Sequence, residues 1–121
     1  ALLRALRAGG IVGVLPDQVP PRGAGVLAPF HGRDAWTMTL VRSLVRRCAP
    51  EVMAATALHT STGYRIRLLP VAAALGHADP RTAAAALNST VERCIALAPE
   101  QYQWAYKRYR HALGNGDDYY E

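Results

Sequence analysis

Gly10-Ile11-Val12-Gly13-Val14-Leu15-Pro16-Asp17-Gln18 holds an unbroken apolar run between a glycine and a proline. Continuous apolarity over Ile11–Leu15 predicts a strand buried on both faces, the pattern of a parallel sheet. Upstream, Ala1-Leu2-Leu3-Arg4-Ala5-Leu6-Arg7-Ala8 reads as two turns of helix, stopped by Gly9-Gly10. No Met and no N-cap precede those turns, so they read as the end of a helix begun earlier, in a C-terminal piece of a longer protein. Downstream, Asp17 and Gln18 stand just past the strand. Pro20-Pro21-Arg22-Gly23-Ala24-Gly25 then makes a loop rich in breakers and short of side chains.

Beyond the loop, Asp34 is a candidate N-cap. Met38, Val41, Leu44, Val45 and Cys48 recur at helical spacing until Pro50. Val52–Leu58 reads as a second buried strand. Strand, helix, strand in that order predicts a right-handed crossover and parallel pairing, hence an α/β fold. His59–Gly63 is a turn, and Tyr64, Ile66 and Leu68 alternate with Arg65 and Arg67 in a strand that returns antiparallel. Asp79-Pro80 places a cap and an N1 proline before a helix whose stripe is Leu87, Val91, Ile95 and Ala98. Pro99 opens a second helix with Tyr102, Tyr106 and Tyr109 on one face and Lys107, Arg108 and Arg110 toward its negative end. Gly114–Asp118 reads as a frayed tail.

The chain has 121 residues, half of them hydrophobic, which suits one globular domain and excludes a disordered chain. The net charge is +5, with thirteen Arg and one Lys, Lys107, among the bases. Beside so many alanines, this Arg bias follows from genome composition as readily as from a nucleic-acid partner. Cys48 and Cys94 cannot form a disulfide framework and sit on apolar helical faces, which favours a reducing compartment. The apolar stretch Leu68–Gly76 is far too short to span a membrane, and no signal peptide is visible.

Several chemistries drop out. The glycines at Gly9, Gly10 and Gly13 lie between a helix and a following strand, the reverse of a dinucleotide fingerprint. His31, His59, His77 and His111 pair with no other His or Cys at ligand spacing, so no metal site is expected. Gly-x-Ser-x-Gly is absent. Asn88-Ser89-Thr90 matches a glycosylation acceptor but falls in a helix, and we read the match as chance. Two candidates remain. Asp17 and Gln18, at the carboxyl end of a strand beside open loop backbone, suit a polar head group; the plainer alternative is a turn cap and a solvated amide. The Tyr102/Trp104/Tyr106/Tyr109 cluster is either core or a groove for acyl chains or anionic groups.

Taken together, Gly10–Gln18, Gly25-Val26-Leu27-Ala28-Pro29-Phe30-His31-Gly32, Ala35–Val41, Gly63-Tyr64, Asn88–Glu92 and Pro99-Glu100-Gln101-Tyr102-Gln103-Trp104-Ala105-Tyr106-Lys107-Arg108-Tyr109-Arg110 resemble the late acyltransferases of lipid A biosynthesis. These belong to the lysophospholipid acyltransferase-like superfamily. The resemblance runs to about Arg110, and Leu-Pro-Asp-Gln with Pro-Glu-Gln-Tyr-x-Trp is its most specific combination. It implies the C-terminal half of a glycerolipid-acyltransferase-like α/β domain: a mixed sheet with flanking helices and two C-terminal helices over residues 1–113, and a disordered tail over 114–121. The family usually has Phe where His31 stands. Its catalytic His-x-x-x-x-Asp/Glu is absent, because no His here has Asp or Glu five positions on. That motif and a membrane-anchoring segment would lie upstream of Ala1.

The resemblance implies transfer of a fatty acyl chain from acyl carrier protein to a Kdo-bearing lipid A precursor at the cytoplasmic face of the inner membrane, with no cofactor. The absent His would act as general base on the acceptor hydroxyl. On that footing no catalytic residue lies in this chain. Asp17 and Gln18 match the family's Asp-Gln motif at the pocket edge. Arg22 and the Gly23–Gly25 backbone are candidates for lipid phosphate contacts. Gln101, Trp104 and Arg108 match the terminal motif and dock the last segment near the site. The alternative reading is a basic α/β module for anionic partners such as RNA, although no nucleic-acid signature is present.

Overall fold

A computed structural model describes residues 1–112 and 119–120. The α/β class holds. Helix α1 (Leu2–Arg7) is followed by an irregular stretch, then by strands β1 (Gly25–Phe30) and β2 (Arg33–Met38), helix α2 (Leu40–Cys48), strands β3 (Met53–Thr60) and β4 (Gly63–Pro70), a 3₁₀ turn Ala73–Gly76, helix α3 (Pro80–Ile95) and a 3₁₀ turn Pro99–Gln101. Pairing is antiparallel in both sheets, β1 with β2 and β3 with β4. α3 lies against β1 and, more lightly, against β3. The core gathers Phe30 and Ala35 from the first hairpin with Val91 and Ile95 from α3, and Tyr102 and Tyr109 pack onto it.

The antiparallel β3–β4 pairing and the start of α3 follow the sequence reading, but β3 is not the buried strand expected over Val52–Leu58: its residues alternate between exposed and half-buried. Asp79 caps α3 by accepting from the Thr82 hydroxyl at 2.6 Å and from the Thr82 amide at 2.8 Å, and these bonds, the hydroxyl's first, hold its carboxyl below the usual range. Leu87, Val91 and Ile95 are buried along the helix, as their spacing requires.

Several expectations are corrected. Ile11–Leu15 joins no sheet, and Ile11 is 98% exposed. The parallel pair with Val52–Leu58 does not form, because that segment, as β3, takes its partner from β4 across a tight turn. An apolar run reports a preference for burial; it does not say which strand will be its neighbour. Asp34 is no helix cap. It lies in β2 opposite Pro29 and pairs with Arg81 at 3.0 Å, while α2 begins at Leu40. Met38 accordingly leaves the helical stripe for β2.

The β1–β2 hairpin itself was hidden by its chemistry. Pro29 reads against a strand, and the two-residue turn uses His31-Gly32 at φ 47° and 79°, where Asn-Gly would announce it. The turn holds because the His31 amide donates to Glu92 Oε1 at 2.8 Å and the His31 ring packs edge-on against Phe30.

Finally, no second helix follows Pro99. After the single 3₁₀ turn, residues 102–112 run through successive bends. Tyr106, Arg108 and Tyr109 are each bound to a distant element, and those bonds override the helical spacing. The tail expected over 114–121 lies outside the described residues except at Tyr119 and Tyr120, where the Tyr119 ring meets Tyr109 edge-on and Tyr120 Oη accepts from the Tyr109 amide.

α2 ends on Ala49 in the left-handed conformation, φ 44°, its amide donating to Val45 O at 2.8 Å. Glycine occupies that geometry without the Cβ penalty. Ala49→Gly is therefore expected to stabilise the chain by about 1 kcal/mol and to raise the melting temperature by about 4 °C, read by thermal denaturation followed by circular dichroism.

Candidate functional site

One large cavity, about 850 Å³, opens between the irregular segment after α1, helices α2 and α3, and β3. Val41, Leu44, Val45, Leu87, Val91 and Ile95 give it an apolar floor, and Asp17, Gln101 and Tyr102 supply polar groups to its lining. The volume lies in the range of small-molecule and cofactor sites. Cys94 also lines it, with burial pushing its thiol up and Arg93 opposing, so it is a poor nucleophile near neutral pH.

The sequence-derived residues divide. Asp17 reaches the cavity on a turn just beyond Leu15, and Tyr102 feels its charge. Gln18, Arg22 and Gly23 are exposed and outside the cavity lining, Gly23 with φ 84°. Gly25 begins β1 in a place with no room for a side chain. A Cβ there would stand 2.8 Å from Pro20 Cγ and from Thr37 O.

Gln101 is committed to structure. It accepts from the His59 amide at 2.7 Å and donates to His59 O at 3.1 Å, so its amide acts as a short extra strand on the β3 edge. Trp104 is 57% exposed; its Nε1 donates to Pro99 O at 2.8 Å and its ring stands edge-on to Tyr102.

Arg108 is 3% exposed. Its Nη1 donates to Trp36 O at 2.8 Å and its Nη2 to Thr37 Oγ1 at 3.1 Å and Asn88 Oδ1 at 3.0 Å. The guanidinium lies 5.0 Å from the centre of the Phe30 ring. Asn88, fully buried, donates to Pro29 O and to Thr37 Oγ1, each at 2.9 Å. Asn88 is thus a structural residue, out of reach of glycosylation. Burial pulls the Arg108 pKa down, while the Tyr102 and Asp17 neighbours push it up.

Sequence reasoning singles out the Tyr102/Trp104/Tyr106/Tyr109 cluster but does not separate the tasks of two of its tyrosines. Tyr106 Oη accepts from the Val19 amide at 2.8 Å, which clamps the loop two residues after Asp17. The Tyr102 hydroxyl is buried and forms no hydrogen bond of good geometry, although it lies close enough to the Asp17 carboxylate to be perturbed by it. Burial first, and the Asp17 charge second, push its pKa up to about 12. The available signal was the aromatic cluster, but its helical spacing concealed which hydroxyl faced which loop.

The lipid A acyltransferase resemblance now has independent support. The family model for bacterial lipid A biosynthesis acyltransferase matches residues 1–111. The lipid A biosynthesis lauroyltransferase of Escherichia coli K12 is 30% identical over 112 residues, covering 90% of this chain and 37% of that protein. The palmitoleoyltransferase of the same organism is 29% identical over 112 residues, covering 90% and 36%, and an acyltransferase of Shigella flexneri matches equally. The chain spans little more than a third of the length of these curated relatives.

Because Tyr102 ionises in the folded state only near pH 12, against 10 when unfolded, its neutral form favours folding below pH 10, and that contribution fades as pH rises from 10 to about 12. Tyr109, also raised, acts in the same direction. Urea unfolding across this window is expected to lose stability steeply in the parent chain and less steeply in Tyr102→Phe.

Proposed function

We propose, for a chain that belongs to the bacterial lipid A biosynthesis acyltransferase family, that it builds the acyl-holding part of an enzyme moving a fatty acyl group from acyl carrier protein to a hydroxyl of a Kdo-bearing lipid A precursor. The observation that carries this is the 850 Å³ cavity, lined largely by apolar side chains with Asp17 and Tyr102 among its polar ones. Such a space favours an alkyl chain, whose burial is worth about 0.8 kcal/mol per methylene, and leaves its reacting end among polar groups.

In the reaction the acceptor hydroxyl attacks the thioester carbonyl, an ester bond forms, the carbon–sulfur bond breaks, and the hydroxyl proton passes to a base. Ester and thiol balance hydroxyl and thioester, so the chemistry calls for no oxidant or cofactor. The base is the histidine of a His-x-x-x-x-Asp/Glu motif outside these residues, since none of the four histidines meets an acid at that spacing. Asp17 orients the substrate from the cavity lining, with Gln18 of the same Asp-Gln pair exposed beside it. Arg22, with the Gly23–Gly25 backbone, contacts lipid phosphate. Gln101, Trp104 and Arg108, which match the family's terminal motif, dock the last segment beside the site. The net charge of +5 suits both an acidic carrier protein and an anionic membrane surface, and the reaction belongs at the cytoplasmic face of the inner membrane. Among the described residues no helix is long and apolar enough to cross a membrane.

In the full-length enzyme, Asp17→Ala is expected to lower acyl transfer at least about tenfold, roughly 1.4 kcal/mol of barrier, with the melting temperature unchanged. Near-normal turnover removes Asp17 from the site. The 121-residue chain alone is expected to bind a fluorescent fatty acyl probe in the cavity and to transfer nothing from acyl carrier protein. Measurable transfer would place a base within it.

A further inference from the structure

The Tyr102 hydroxyl is a buried polar group with no formed hydrogen bond among the described residues, a state that is unfavourable unless a partner is within reach. Three observations converge on that partner. Tyr102 and Asp17 line the same cavity. The loop bearing Asp17 is tied to the same C-terminal segment by the Val19–Tyr106 bond at 2.8 Å, which limits how far the carboxylate can swing. Behind Tyr102, the Arg108 guanidinium is fastened to β2 and α3 and acts on both Tyr102 and Asp17.

From this geometry we infer that Tyr102 is a positioning residue for Asp17: its hydroxyl donates to the carboxylate and fixes the direction in which Asp17 faces the cavity. A charge-assisted bond of this kind outweighs a neutral one. It satisfies the one polar atom the tyrosine would otherwise bury unpaired. It also separates the roles within the terminal motif. Gln101 holds β3, Arg108 holds the hairpin and α3, Tyr106 holds the loop, and Tyr102 aims the acid. The consequence for turnover rests on the acyl-transfer reading; the contact itself does not.

The test therefore has two arms. In the 121-residue chain at neutral pH, the ring ¹³Cζ resonance of Tyr102, assigned by its loss in Tyr102→Phe, is compared with that in Asp17→Asn and Asp17→Ala. A resolved shift in both Asp17 variants, with Tyr102 hydroxyl-proton exchange about tenfold faster, is the expected result. An unchanged resonance and unchanged exchange in folded Asp17 variants overturn the contact. In the full-length enzyme, Tyr102→Phe is expected to lower kcat about fivefold to twentyfold while KM changes less than about twofold, because alignment is lost and binding is kept. A KM effect with kcat intact overturns the positioning role. If the resonance shifts while Asp17→Ala leaves transfer intact, the contact stands and the acyl-transfer role of the site falls.

Discussion

Arg108 places a guanidinium in the interior with no carboxylate within 4 Å among the described residues, and the fold is arranged to make that tolerable. Two carbonyl or amide oxygens, one hydroxyl and one aromatic face replace the water it gave up. Those partners come from β1, β2 and α3, so the two Nη groups are satisfied only if the first hairpin and α3 are already in register, while the buried Nε has no hydrogen-bond partner among the described residues. Asn88 is the second half of the knot. Its amide nitrogen spans Pro29 O and Thr37 Oγ1 while its oxygen receives Arg108, which leaves little freedom for the rotamer of either residue. A network of this kind is specific because any partial version leaves a buried polar group unpaired.

The knot explains why the resemblance-bearing residues lie so far apart in the chain. Asn88 and Glu92 are one turn apart on α3 and both reach the β1–β2 hairpin, Asn88 beneath the strands and Glu92 at the His31 turn. The terminal motif then closes over the same hairpin, with Tyr109 donating to Phe30 O at 2.8 Å. Once Arg108 is seated, Tyr106 falls onto the loop after Asp17 and Tyr102 onto the cavity. Position at the site is thus inherited from a structural bond elsewhere.

What the sequence made legible follows physical lines. Elements specified by local chemistry could be read: the Asp79-Pro80 helix start, the α3 stripe, and the β3–β4 hairpin with its alternating Arg65 and Arg67. Elements specified by distant partners could not. The hairpin turn at His31 needs Glu92, sixty-one positions away, to hold a residue with positive φ. The bends after Tyr102 follow hydrogen bonds to Val19, Trp36 and Phe30, which no local window contains. Ile11–Leu15 shows a third case, in which burial preference was clear and the strand partner was not. Asp17 was found because it sits at a breakpoint between an apolar run and a glycine-rich loop. Tyr102 stood out as part of the aromatic cluster, but its task did not, because its spacing also fits a helical face.

The dependence of the whole arrangement on the buried knot is tested most directly by a double-mutant cycle on Arg108→Met and Asn88→Ala, with unfolding free energies from urea titration. If the two residues act as one unit, the double variant is less destabilised than the sum of the singles, with a coupling of about 1–3 kcal/mol. Strict additivity, with each single substitution costing less than about 0.5 kcal/mol, would contradict it.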